Sequence, residues 1–105
     1  MSSLATLAAL IKYVSAAHCD ATYTLVNSYV VTTSGVPNIP QTCGWLWDNL
    51  EEFPGCEALS DVYCGGTNGN LKWTLTASWA CDAPKIESSW WDSTGNKYGA
   101  IDCAS

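Results

Sequence analysis

The sequence predicts an α+β fold in which four antiparallel strands form one sheet and two helices cover one face of it. Three observations support this prediction. The chain has 105 residues, enough for one hydrophobic core and too few for two. Six cysteines are spread over nearly the whole length, as in small domains that disulfides hold together. The apolar residues fall into six blocks whose periodicity follows the order strand, helix, strand, strand, helix, strand.

The first three blocks of the chain predict a strand, a loop and a helix. Residues 22–33 are rich in Thr, Val and Tyr and lack Gly and Pro, which is typical of a strand. Residues 34–42 contain two prolines and a glycine, which predict a loop. Residues 45–53 predict a helix that Pro54-Gly55 ends. The apolar face of this helix carries Leu46, Leu50 and Phe53.

The second half of the chain predicts a hairpin, a helix and a last strand. Residues 56–64 alternate weakly and lead into a turn rich in Gly and Asn, as an edge strand would. Residues 71–81 alternate cleanly between apolar and polar. Their buried face is predicted to carry Leu71, Trp73, Leu75, Ala77, Trp79 and Cys81. Residues 82–95 predict a helix, with Asp82 as N-cap and Gly95 as the stop, and residues 98–103 predict a short strand.

This order of elements is that of the ferredoxin-like split βαβ fold, βαββαβ, with both helices on one face of the sheet. The spacing of the cysteines alone leaves their pairing open. The strand order 4-1-3-2 of this fold brings them together at the two ends of the sheet and across the hairpin. The predicted disulfides are Cys19–Cys103, Cys43–Cys64 and Cys56–Cys81. We expect each to stabilise the domain by about 2–4 kcal/mol.

The first seventeen residues, MSSLATLAALIKYVSAA, predict a signal peptide. An apolar run is followed by small residues, and Ser15-Ala16-Ala17 fits a cleavage site. The alternative is an amphipathic helix that packs on the domain through Leu4, Leu7, Ala8 and Ile11. The cysteines favour the signal peptide, because disulfides require an oxidising compartment. We therefore expect an extracellular protein with a single disulfide-rich α+β domain over residues 18–105. No segment after residue 17 is apolar for long enough to span a bilayer.

The charge of the chain argues against polyanionic partners. The formal net charge is −6, arginine is absent, and after residues 1–17 the only lysines are Lys72, Lys85 and Lys97. Binding to phosphate groups draws on clustered arginine and lysine. We therefore expect no nucleic acid partner and no attraction to anionic membranes. We also expect the protein to be a monomer.

The residue types needed for catalysis or metal binding are scarce. His18 would follow the predicted cleavage site and could help to chelate copper, but such a site needs a second histidine and the chain has one. A Ser, Thr or Cys nucleophile needs a base, and the one histidine lies next to the predicted cleavage site, where we expect the chain to be mobile. Four carboxylates are candidates for a glycosidase pair, although a solvated surface is the simpler interpretation: Glu51, Glu52, Glu57 and Asp61. We expect no enzyme, no metal and no cofactor.

Six tryptophans are the most distinctive feature of the composition. Trp73, Trp79 and Trp90 fall on predicted buried faces, and Trp47 flanks the apolar stripe of its helix. Trp45 and Trp91 have no such assignment. The loop 34–42 could cover them, or they could form an exposed surface for a protein or a sugar ring. Trp45 and Trp91 are therefore the predicted contact residues.

Two stretches carry a resemblance to known proteins. CGWLWDNL, followed by a cysteine-bounded strand, and the ending SSWWDSTGNKYGAIDC resemble small cysteine-rich proteins secreted by filamentous fungi, many of which are candidate effectors. The six-element order with disulfides also resembles the fold of virus-encoded fungal killer toxins. The resemblance implies a secreted, non-enzymatic, effector-like or toxin-like protein that contacts a host or competitor protein. The alternatives are a carbohydrate-binding module for cell-wall glycan that uses the exposed tryptophans, and an inert wall protein.

Overall fold

The computed structural model, which describes residues 17–103, contains one four-stranded antiparallel sheet and two helices. The elements are β1 (Ala17–Tyr23), β2 (Asn27–Thr33), α1 (Ile39–Glu51), β3 (Ser60–Thr67), β4 (Asn70–Ala77) and α2 (Ala83–Thr94). The strands lie in the order β1-β2-β4-β3, and every neighbouring pair is antiparallel. The predicted fold class, an α+β fold with a ferredoxin-like layout, is confirmed. The predicted signal peptide lies outside the described residues except for Ala17, the first residue of β1.

The centre of the sheet and both helices follow the predicted order. In β2, α1, β3, β4 and α2 the chain runs strand, helix, strand, strand, helix, and β4 lies between β2 and β3 as the split βαβ layout requires. The edge position beside β2 is held by β1, whereas residues 98–103, the expected last strand, have no regular secondary structure. Side chains provide hydrogen bonds to the backbone of Cys103 there: the Tyr23 hydroxyl donates to the Cys103 carbonyl, and the Cys103 N–H donates to Glu87 Oε2 at 2.8 Å.

The expected strand over 22–33 is in fact the second half of a hairpin. β1 and β2 pair from Ala17–Thr33 to Tyr23–Asn27, and the chain reverses between them. The turn contains neither Gly nor Pro. The N–H and the hydroxyl of Thr24 instead donate to the Val26 carbonyl, at 3.0 and 3.3 Å. A local hydrogen bond of this kind closes the turn without the residues that usually mark one.

Helix α1 begins six residues before the predicted start, inside the stretch expected to be a loop. Asn38 is the N-cap, and its side chain accepts a hydrogen bond from the Gln41 N–H at 3.1 Å. Pro40 lies in the first turn, where a helix tolerates proline because the missing N–H has no partner there. The buried stripe is Ile39, Thr42, Cys43, Leu46 and Leu50.

The β3–β4 hairpin turns at Asn68 and Gly69, both with positive φ, as a tight two-residue turn requires. Along β4 the predicted alternation is confirmed, since Leu71, Trp73, Leu75 and Ala77 are buried. The expectation that Trp79 is buried is wrong. β4 ends at Ala77, and the chain turns there, with the Cys81 N–H donating to the Ser78 carbonyl at 3.0 Å. The alternation of the strand therefore no longer decides which way Trp79 points.

The core lies between the sheet and the two helices, and tryptophan rings fill its centre. Trp73 of β4 stacks on Trp90 of α2 and makes an edge contact with Trp47 of α1. Ile86 and Trp90 are the fully buried apolar residues that α2 contributes. The helix ends where predicted, at Gly95 in the left-handed conformation, with φ 60°.

Three disulfides tie this frame together. They are Cys19–Cys103, Cys43–Cys64 and Cys56–Cys81, the pairs that the sheet order predicts, and no described cysteine is left free. They join β1 to the C-terminal segment, α1 to β3, and the turn after α1 to the turn after β4. Each bridge therefore connects a turn or an edge of the domain to another element.

Candidate contact surfaces

Trp45 borders a shallow groove between the two helices. α1 and α2 lie side by side, and the groove is formed where α1 begins and α2 ends. Trp45 is 45% exposed there. The groove is lined by side chains from both helices and from the segment after α2, among them Asn38, Gln41, Trp45, Ser93, Lys97 and Tyr98.

Asn49 connects two of the residues that line this groove, Trp45 and Ser93. Its side-chain amide donates to the Trp45 carbonyl at 3.0 Å and to Ser93 Oγ at 2.8 Å, so that it links the two helices. Gln41 and Lys97, both exposed, add an amide and an ammonium group at the rim. An exposed aromatic ring can stack on the apolar face of a sugar ring. Amide, hydroxyl and ammonium groups beside it can donate hydrogen bonds to the sugar hydroxyls.

Trp91 is exposed but lies on a different side of α2. It is 49% exposed. Ser89 and Ser93, two residues before and after it, are buried, and Ser93 contacts Asn49 of α1. Positions two residues apart lie about 200° around a helix, so Trp91 points away from α1 and from the Trp45 groove. The structure exposes both predicted contact residues but does not bring them together.

A third surface, which the sequence did not reveal, lies at one end of the sheet. Asn27 and Ala77 form the pair at one end of the β2–β4 ladder, and the turn before β2 and the turn after β4 both carry exposed apolar side chains. Leu25 is 94% exposed and Trp79 is 78% exposed. We call this set the sheet-end patch: Tyr23, Leu25, Val26 and Trp79.

The sheet-end patch stands on a rigid base. The Cys81 carbonyl accepts hydrogen bonds from the Tyr29 hydroxyl at 2.8 Å and from the Asn27 amide at 3.3 Å. Burial, together with the neighbouring Tyr23, raises the pKa of the Tyr29 hydroxyl well above its ordinary value. Tyr29 therefore stays protonated and keeps donating to the turn that carries Trp79.

The residues considered for metal binding or catalysis are dispersed. His18 is exposed on β1, and its Nε2 lies 2.9 Å from Asp20 Oδ1. Glu51, Glu52 and Glu57 are exposed around the end of α1. Within residues 17–103, no group of three or more His, Cys, Asp or Glu side chains is placed to hold a metal ion. The same residues contain no helix long and apolar enough to cross a membrane.

Comparison of the chain with models of known protein families, with curated proteins and with solved structures finds no match.

Proposed function

We propose that this is a secreted, non-enzymatic protein that acts by contact with another protein outside the producing cell, in the manner of an effector or a toxin. The observation that carries the proposal is the display of large apolar side chains on a frame held by three disulfides. Trp45, Trp79 and Trp91 are all at least 45% exposed. Large apolar side chains such as tryptophan are unfavourable in contact with water, and tryptophan contributes strongly to binding at protein interfaces.

Several features support an extracellular site of action. Three disulfides in so small a protein are typical of the oxidising space outside the cell. The first seventeen residues have the pattern of a signal peptide. The resemblance of the CGWLWDNL and SSWWDSTGNKYGAIDC stretches to secreted fungal proteins agrees with both. A small domain with disulfides is also more stable against unfolding than one that relies on a core of the same size alone.

The experiment applies the purified, oxidised protein to living targets. It is infiltrated into a panel of plant tissues and added to cultures of a panel of filamentous fungi. We expect a tissue response or growth inhibition in at least one target. Each of the variants Trp45→Ala, Trp79→Ala and Trp91→Ala is tested beside the wild type, and loss of the response in one of them locates the contact surface. Absence of any response across both panels would overturn the proposal and favour an inert wall protein.

A second candidate function is glycan binding in the Trp45 groove, because this groove combines an exposed ring with hydrogen-bonding side chains. An array of chitin, glucan and cellulose fragments tests it. If the groove binds glycan, retention is strong and is lost in Trp45→Ala, whereas Trp91→Ala, on the other side of α2, retains it. That result would replace protein contact as the main activity. No retention on any glycan removes this candidate.

A further inference from the structure

Carboxylates border one side of the sheet-end patch. The turn after α1 lies against the turn that carries Trp79: the Cys56–Cys81 disulfide joins them, and a Cβ on Gly55 would lie 2.8 Å from the Cβ of Ala80. The exposed acids of these two turns and of the end of α1 therefore stand on that side of the patch. They are Glu57 and Asp82 in the turns, and Glu51 and Glu52 at the end of α1.

The positive charges of the described residues do not balance this rim. Lys85 lies within the rim, since its ammonium group donates to the Ala80 carbonyl at 2.7 Å and the Pro54 carbonyl at 3.4 Å, and its single charge offsets only one of the four carboxylates. Lys72 lies on β4, five residues before its end at Ala77, and Lys97 follows α2 at the far end of the domain. The patch is therefore an apolar surface with a rim of net negative charge along this side.

We propose that the sheet-end patch docks a segment of the partner protein that is apolar and flanked by Lys or Arg. This inference rests on the proposed function and names the chemistry of its partner. Leu25 and Trp79 would be buried against apolar side chains, and the carboxylate rim would attract the flanking cations. The turn is held in place before binding, so little conformational entropy is lost on contact.

The same charges oppose two other occupants. A second copy of this chain would bring two acidic rims together, and like charges across an interface oppose association. An anionic lipid surface would be repelled in the same way. A neutral lipid surface is insensitive to the rim, and this difference separates it from a basic protein segment in the test.

The test uses three synthetic peptides that differ in one property at a time. The first has Leu and Trp on one helical face and Lys elsewhere, the second keeps Leu and Trp but replaces Lys by Glu, and the third keeps Lys but replaces Leu and Trp by Ser. Binding to the oxidised protein is measured by fluorescence anisotropy at low and high salt. We expect the first peptide to bind about tenfold or more tightly than either of the others, and to weaken at high salt.

Variants then locate the site. Trp79→Ser and Leu25→Ser should each weaken the first peptide about tenfold, whereas Trp91→Ser, a comparable change on α2, should alter it less than about twofold. The double variant Glu52→Gln/Glu57→Gln should weaken binding and reduce its salt dependence, and Asp20→Asn/Asp92→Asn, which removes the same charge elsewhere, should not. Because all these side chains are exposed, a thermal melt is expected to show the same fold in each variant.

Four results would overturn the inference: equal binding of the three peptides, binding that survives Trp79→Ser, a dimer in sedimentation that Leu25→Ser abolishes, or binding of Trp79 to phosphatidylcholine vesicles that the rim variants leave unchanged. The proposed function is judged separately. A tissue or growth response that persists in Trp79→Ser and is lost in Trp45→Ala would contradict this docking site and leave the proposed function standing. If the wild-type protein causes no tissue or growth response, the proposed function is contradicted, regardless of the peptide-binding result.

Discussion

Trp73 of β4 and Trp90 of α2 stack in the centre of the core, with ring centroids 6.4 Å apart and ring planes 17° apart. Both side chains are fully buried. Their polar atoms have different surroundings. Trp90 Nε1 donates to the Gly99 carbonyl at 3.0 Å, whereas Trp73 Nε1 has no hydrogen-bond partner among residues 17–103. The two stacked indole rings therefore differ in whether their N–H group has a hydrogen-bond acceptor.

Replacement of each ring by Phe should separate packing from hydrogen bonding. Trp73→Phe loses buried area but also removes an unpaired N–H, so we expect it to cost about 1 kcal/mol of unfolding free energy. Trp90→Phe loses similar area and leaves the Gly99 carbonyl without its donor, so we expect about 2–3 kcal/mol. Urea unfolding followed by circular dichroism measures both. Equal costs, or a larger cost for Trp73→Phe, would contradict the assignment.

Elements with a regular apolar periodicity were predictable from the sequence. Boundaries at which the residues depart from the usual turn and loop signals were not. Strict alternation identified β4, and helical spacing identified α1 and α2. The start of α1 was missed because Pro40 normally marks a loop, although the first turn of a helix accepts it. The turn after β1 was missed because a Thr24 hydrogen bond, and not a Gly or Pro, closes it.

Tyr29 provides a prediction about alkaline pH. The raised pKa of its hydroxyl, caused first by burial and then by Tyr23, lies above that of the unfolded chain. The unfolded state therefore loses this proton first, and the stability that is complete below about pH 10 falls as the pH rises further. Tyr29→Phe should cost about 1 kcal/mol at neutral pH, through the lost bond to the Cys81 carbonyl.

The same variant should lose less stability than the wild type when the pH is raised from 9 to 11, because it lacks this titrating group. Urea unfolding of both proteins at neutral and alkaline pH gives the comparison. A parallel decline of the two proteins would show that the Tyr29 hydroxyl does not contribute to alkaline unfolding.

Two adjacent glycines of β3 should respond very differently to alanine. Gly66 has φ 147°, and a Cβ there would collide with the backbone carbonyl of Asn70 in the paired strand. Gly65 has ordinary backbone geometry, and its Cβ would meet only the hydroxyl end of the Tyr63 ring, an exposed side chain that can move. We expect Gly66→Ala to cost about 3 kcal/mol and Gly65→Ala less than about 1 kcal/mol, as measured by thermal unfolding. Similar melting temperatures would mean that the hairpin tolerates a side chain at either position.

The candidate site was predictable only in part. Trp45 and Trp91 were identified because no buried face accounts for them, and both are exposed. Trp79 was missed because the alternation of β4 was extended to Cys81. A strand that ends there and a helix that begins at Asp82 leave no residues for the connection, which usually needs about two to six. Connection length was the signal that could have placed Trp79 in a turn.

The three disulfides should not contribute equally. Cys19–Cys103 spans 84 residues and Cys43–Cys64 spans 21, and the entropy that a bridge removes from the unfolded chain grows with loop length. Replacement of the first pair by Ala should therefore cost about 4 kcal/mol, and replacement of the second about 3 kcal/mol. The first replacement should also release β1 from the C-terminal segment, so hydrogen exchange of the β1 amides should quicken in that variant and not in the other. If Cys43→Ala/Cys64→Ala is the less stable protein, loop length does not set the ranking of the two bridges. If the β1 amides exchange equally fast in both variants, β1 is held by its pairing with β2 and not by the disulfide.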